Sequence, residues 1–172
     1  YQADALEFLA EHGTEYDVIH ASPPCQRYTP MSRNRNAHPD LYQPTREALL
    51  KVQKPFVLEN VIGAPYQQGL LLCGSMFGLV VRRHRNFESS FLIFPPSQCR
   101  HQEQGRPITV TGHGGGQKRP HSWKGIKEEW PMYMQMPWAT PEECTQAIPP
   151  AYTEWLGKEL MRYLVSVREA AP

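Results

Sequence analysis

The sequence predicts an α/β fold built on a parallel sheet. Two helix-to-strand units near its start and a strongly amphipathic helix near its end carry this reading, because alternating helices and strands pack as helices against a parallel sheet. Residues 3–12 (ADALEFLAEH) place Leu6, Leu9 and Ala10 on one face and stop before Gly13, the pattern of a short helix. Asp17–Ala21 (DVIHA) follows as a short strand halted by Ser22, Pro23 and Pro24. A second helix opens at Pro44, Thr45 and Arg46 and runs to Lys54; Pro55 then starts PFVLENV, an apolar run of the kind carried by buried parallel strands. Beyond Pro149 and Pro150, the positions Tyr152, Trp155, Leu156, Leu160, Tyr163, Leu164 and Val167 recur at helical spacing, with proline where a helix starts.

Gly74–Val81 (GSMFGLVV) reads as turn-rich and apolar, and leads into a further strand within Arg82–Phe91. Residues 95–131 are rich in Pro, Gly, Gln, His and basic side chains and read as an irregular insertion. The expected organisation is a main part over 1–94, a small loop-rich region over 95–131, and a C-terminal segment over 132–172 that returns to the main part. Met132, Met134 and Met136 read as packing, and His113 with Gly114, Gly115 and Gly116 as a loop.

A length of 172 residues suits one core. Proline, at 17 residues, is about twice its usual share, so rigid loops are expected. No apolar run reaches the ~18 residues of a membrane span. Asp4, Glu7 and Glu11 stand where a signal peptide would be basic and then apolar, so the expectation is a soluble, cytoplasmic protein without a membrane partner. Cys25, Cys73, Cys99 and Cys144 lie far apart with no C-x-x-C pair; they read as reduced thiols, and no metal is expected.

The net charge of +1 hides an asymmetry: residues 1–127 hold 15 Lys and Arg against 10 Asp and Glu, while residues 128–172 hold 3 against 7. Three basic groups stand out, Arg27, Arg33 and Arg35, then Arg82, Arg83, His84 and Arg85, then Lys118, Arg119, Lys124 and Lys127 around Trp123. Such groups suit a phosphate backbone, with a solvated surface as the plain alternative.

Cys25 follows a strand and a Pro-Pro pair, which puts its thiol at the carboxyl end of a strand, where open α/β sheets place their ligands. A lone cysteine is ordinarily a small buried hydrophobe. Here Ser22, Gln26, Arg27 and Thr29 make its surroundings polar, and Arg27 is placed to favour the thiolate. Glu59 and Asn60 close the apolar strand PFVL, so two strands are predicted to end in a thiol and a carboxylate.

These residues resemble the cytosine-5 DNA methyltransferases. Pro24, Cys25 and Gln26 look like that family's PCQ nucleophile motif and Glu59, Asn60 and Val61 like its ENV motif. Arg83 and Arg85 resemble the arginines of its Q-x-R-x-R motif, and Arg106–Val110 (RPITV) resembles its R-P-x-T segment. Gln146–Pro150 (QAIPP) is similar to the G-N-x-V-P-P segment before the last helix. The five segments occur in the family's order over nearly the whole chain.

The resemblance implies a Rossmann-like, S-adenosylmethionine-dependent methyltransferase sheet, N-terminally incomplete, with residues 95–131 as a small target-recognition insertion. It implies double-stranded DNA as the partner and Cys25, Glu59, Arg83 and Arg85 as catalytic residues. Asp4, Ala5, Pro24, Gln146 and Ala147 fall to the donor, S-adenosylmethionine. The family's F-x-G-x-G donor turn does not occur in the sequence, Val81 replaces its usual Gln, and Gln146 stands at its usual Asn. Some 40–60 residues are therefore expected ahead of Tyr1, roughly a strand-helix-strand unit with its lead-in, or else a complementary subunit that supplies the donor turn. A tRNA cytosine-5 methyltransferase and a non-catalytic DNA-binding homologue are the alternatives left open.

Overall fold

The computed structural model describes residues 2–111 and 125–170. The glycine-rich loop at His113 and the basic residues Lys118, Arg119 and Lys124 around Trp123 lie outside them. The chain is a mixed α/β protein that divides into two compact units, one comprising Tyr1–Leu71 with Arg85–Leu92, the other Leu72–His84 with Ile93–Pro172. Among the described residues no helix is long and apolar enough to cross a membrane.

The first unit begins with α1 (Ala5–His12), then β1 (Ile19–Ala21), α2 (Tyr42–Val52), β2 (Phe56–Asn60) and β3 (Gly69–Leu72), and receives β4 (Arg85–Ser89). The sheet order is β1-β2-β4-β3. β1 runs parallel to β2 with Ala21 opposite Leu58, as expected from the two helix-to-strand units. β4 is antiparallel to β2, with Glu59 opposite Phe87, so the sheet is mixed and not wholly parallel. Between β2 and β4 the chain carries β3 and the 3-10 turn Gly74–Phe77 but no α-helix, and a parallel return usually takes a helical crossover.

α1 starts at Ala5 because Asp4 caps it, its Oδ1 accepting from the amides of Leu6 and Glu7 at 2.9 and 3.1 Å. α2 begins at Tyr42, two residues before the expected Pro44; that proline sits in the first turn, where its missing N–H costs no helical bond. Leu9, Tyr42, Leu49, Phe56, Leu58 and Ala64 form the core of this unit. All five residues of β2 are buried, the apolar Phe56, Val57 and Leu58 together with Glu59 and Asn60. Glu88 on β4 is buried too, held by the Tyr42 hydroxyl at 2.9 Å and Arg46 Nε at 2.6 Å, which anchors α2 to the sheet.

The second unit contains α3 (Trp130–Tyr133), α4 (Pro141–Gln146) and α5 (Pro150–Ala170). Thr140 and Glu143 close a reciprocal capping box at the start of α4. α5 starts at Pro150 as the sequence predicts and buries Tyr152 and Leu156, while Val167 at its far end is exposed. Of the three alternating methionines Met134 is fully buried and Met132 is exposed. Val81 and Ile108 form an isolated parallel bridge that ties the start of this unit to its later loops.

Candidate functional site

Two parallel strands deliver the Cys25 loop and Glu59 to the same edge of the first unit's sheet. β1 ends at Ala21, and the chain runs through Ser22, Pro23 and Pro24 to Cys25. The Cys25 carbonyl then accepts from the amides of Tyr28 and Thr29, both at 2.9 Å, which closes a tight turn around the thiol. Asn60, at the end of β2 and 1% exposed, donates from Nδ2 to the Pro23 carbonyl at 2.8 Å, and its Oδ1 accepts from its neighbour Val61 at 2.9 Å. One amide side chain thus joins the loop that carries Cys25 to the strand end that carries Glu59. Gly63 completes this junction: a Cβ there would meet the Tyr28 carbonyl oxygen at 2.6 Å, so only glycine allows the loop after β2 to approach the turn.

Glu59 is 8% exposed and pairs with Arg85 of β4, Nε to Oε1, at 3.0 Å. The pair puts a planar, permanently charged donor beside a carboxylate at the carboxyl end of a parallel strand. Tyr66 belongs to the same neighbourhood. Its hydroxyl donates to the Val61 carbonyl at 2.6 Å. Burial above all holds the Tyr66 hydroxyl well above the ordinary tyrosine pKa, Tyr42 and the negative charges of Glu59 and Cys25 add to the rise, and Arg85 opposes it. Cys25, Glu59 and Arg85 therefore all lie within electrostatic reach of one part-buried hydroxyl. The sequence reading missed Tyr66; an aromatic six residues past Asn60 carries no motif.

Other expected roles are redistributed. Arg27, expected beside the thiol, turns its guanidinium to the Arg35 carbonyl at 3.4 Å and Asn36 Oδ1 at 3.2 Å. The second basic group is no solvated stripe. Arg82 donates to Gln104 Oε1 at 3.1 Å, Arg85 pairs with Glu59, and His84 faces the His101 ring. Arg83 lies in the second unit and gives its guanidinium to three carbonyls, those of Ala147 at 2.5 Å, Thr145 at 2.8 Å and Val110 at 3.0 Å. It holds together the RPITV segment, the end of α4 and its own backbone, whose positive φ of 36° is a costly conformation for a non-glycine residue.

The residues assigned to the donor fall in both units. Asp4, Ala5 and the exposed Pro24 belong to the first, Gln146 and Ala147 to the second. Asp4 spends one carboxylate oxygen on its cap. Gln146 ends α4 and donates to Thr145 Oγ1 at 3.3 Å, and Ala147 lends its carbonyl to Arg83.

A second gathering of reactive side chains lies wholly within the second unit. Cys73, His84, Cys99 and His101 bring one ligand-type atom each to within 4.8 Å of one another. Compared with known proteins, the chain matches no family model, no curated protein and no solved structure.

Proposed function

We propose that this protein is a DNA cytosine-5 methyltransferase whose nucleophile is Cys25. The observation that carries the reading is the Asn60 bridge, which ties the Pro-Pro-Cys loop to the end of a parallel strand whose buried Glu59 is paired with Arg85. The parallel pairing of β1 and β2, with the reactive groups at their carboxyl ends, is the arrangement a Rossmann-like sheet uses for its ligands.

C5 of cytosine is a poor nucleophile until something adds to C6. Cys25 Sγ forms a bond to C6, and the displaced π-electron pair moves onto the ring. Glu59 in its protonated form hydrogen-bonds N3 and accepts from the exocyclic amine, passing its proton to N3 as charge builds there and recovering it when the ring becomes aromatic again. S-adenosylmethionine supplies an electrophilic methyl group; C5 bonds to it as the methyl–sulfur bond breaks, and S-adenosylhomocysteine departs as the neutral thioether. The C5 proton then leaves to solvent, and its electron pair expels the Cys25 thiolate. Arg85 steadies the carboxylate that Glu59 becomes once its proton has passed to N3, and offers donors to the base O2. Arg83, which the resemblance also assigns to catalysis, gives its guanidinium to three carbonyls of the second unit.

The base must leave the stack to reach a thiol and a carboxylate on two strand ends, so the substrate nucleotide is flipped out of the duplex. Asp4 suits the donor's adenine amine because a carboxylate has about four acceptor sites, of which the helix cap takes only part. Ala5 and Pro24 share the first unit with Asp4 and belong to the same assignment.

The test uses duplex DNA of mixed sequence containing 5-fluorocytosine, incubated with the full-length protein and S-adenosylmethionine. Fluorine cannot leave as the C5 proton does, so the enzyme should remain covalently attached through Cys25, and Cys25→Ser should leave no adduct. An adduct formed with 5-fluorocytosine tRNA but not with DNA transfers the assignment to RNA. Absence of any adduct, with methylation still proceeding on ordinary DNA, overturns the nucleophile; absence of both overturns the activity.

A further inference from the structure

We propose that Cys73, His84, Cys99 and His101 bind a structural zinc ion that staples the loops of the second unit, independently of methyl transfer. Two thiols and two imidazoles are the ligand set of closed tetrahedral zinc sites. Zn–S near 2.3 Å and Zn–N near 2.0–2.1 Å at tetrahedral angles place neighbouring S and N ligand atoms about 3.6 Å apart. Cys99 Sγ stands 3.6 Å from His84 Nε2, and Cys73 Sγ stands 3.3 Å from His101 Nε2. The His84 and His101 rings meet edge to face with centroids 5.0 Å apart, which lets both converge on one point without stacking.

As hydrogen-bonding partners these groups gain little from one another, since a thiol is a weak donor and a weak acceptor. As ligands, each offers one strong lone pair. Cys73 is fully buried and the other three are part-buried, so the point they surround is sheltered, as a structural ion requires.

The backbone is built to hold this geometry. Gly74 donates to the Arg82 carbonyl at 2.7 Å, and a Cβ on Gly74 would lie 1.9 Å from the Val81 carbonyl oxygen. Only glycine permits that approach, and it closes the loop that brings Cys73 back to His84. Gln104, three residues past His101, donates from Nε2 to the carbonyls of Leu79 at 2.6 Å and Val81 at 3.1 Å, which docks the Cys99–His101 loop on the same stretch. Buried Ser75 accepts from the Arg100 amide at 3.0 Å and lies 3.2 Å from Cys73 Sγ. With that amide in place, its hydroxyl proton is available to the sulfur, the outer support that thiolate ligands commonly receive.

The need for a staple is also local. Residues 93–104 carry no helix or strand, so they lack the ladders that ordinarily hold a backbone in place. Small, loop-rich units commonly recover that loss through a metal or disulfides. The sulfur and nitrogen donor set favours zinc over magnesium or calcium, which prefer oxygen.

The full chain, purified in reductant and passed through gel filtration, should retain about one zinc ion per chain. The apo chain loaded with Co2+ should show the thiolate-to-cobalt charge-transfer band and the intense visible bands of a tetrahedral site. Cys99→Ser should weaken zinc binding by more than about 100-fold, beyond the 10–100-fold expected of an outer-shell change such as Ser75→Ala. Cys144→Ser, outside the cluster, should keep the ion. Far-ultraviolet circular dichroism shows whether the variants retain their helices. A reduced wild-type chain that holds neither zinc nor tetrahedral cobalt overturns the proposal, as does a folded Cys99→Ser that binds both as the wild type does.

Discussion

Asn60 donates to the Pro23 carbonyl at 2.8 Å, two residues ahead of Cys25 and one residue after Glu59. The bond crosses from the end of β2 to the loop after β1, so a fully buried amide couples the two chain segments that carry Cys25 and Glu59. A loop with two prolines has little choice of φ, and one fixed carbonyl is enough to set its path. The Asn60 side chain therefore helps to fix the path of the loop that carries Cys25.

Removing that amide should cost both stability and reactivity. Asn60→Ala leaves the Pro23 carbonyl and the Val61 amide without their partner, a loss of about 1–3 kcal/mol by the usual penalty for buried polar groups. Urea denaturation should register the loss, and the rate of adduct formation with 5-fluorocytosine DNA should fall further than the stability alone explains. An unchanged adduct rate would deny Asn60 its positioning role.

Glu59→Gln preserves size and removes the charge. Single-turnover methylation should slow by about 10²–10⁴-fold, the usual worth of a positioned acid or base. DNA affinity by gel shift should change far less. Equal losses in both measurements would mean that Glu59 serves binding alone.

Arg83→Lys tests the triple clamp in the second unit. An ammonium cannot reach three carbonyls that a guanidinium spans in a plane, and each charged hydrogen bond lost is worth roughly 1.5–3 kcal/mol. The described tryptophans, Trp130, Trp138 and Trp155, belong to that unit, so their fluorescence follows its unfolding. The denaturation midpoint by fluorescence should drop clearly. A midpoint equal to that of the wild type would show that the carbonyls are satisfied without Arg83.

The start of α5 at Pro150, the buried run of β2 and the parallel pairing of β1 with β2 were legible because each is written in a contiguous stretch of residue types. The same holds for Cys25 and Glu59, which stand at the ends of such stretches. The antiparallel β4 was not legible, because no local pattern states which strand a segment will lie beside. Nor was Arg83, whose three acceptors lie 27, 62 and 64 positions away.

The cysteines and histidines of the second unit show the limit most clearly. Spacing rules look for ligands in pairs near one another, and Cys73 and Cys99 are 26 positions apart. What brings them together is a glycine that admits a carbonyl, a glutamine that docks a loop, and a serine between sulfur and amide, none of which carries a signature in a linear reading.

By itself the sequence determined the element types, because hydrophobic periodicity and proline placement act over a few neighbouring residues. It also determined which reactive side-chain types are present, because a thiol or a carboxylate is identified by residue type alone. Only the tertiary structure decided which of them meet, which arginine faces the carboxylate and which holds backbone, since those outcomes depend on contacts between segments distant along the chain.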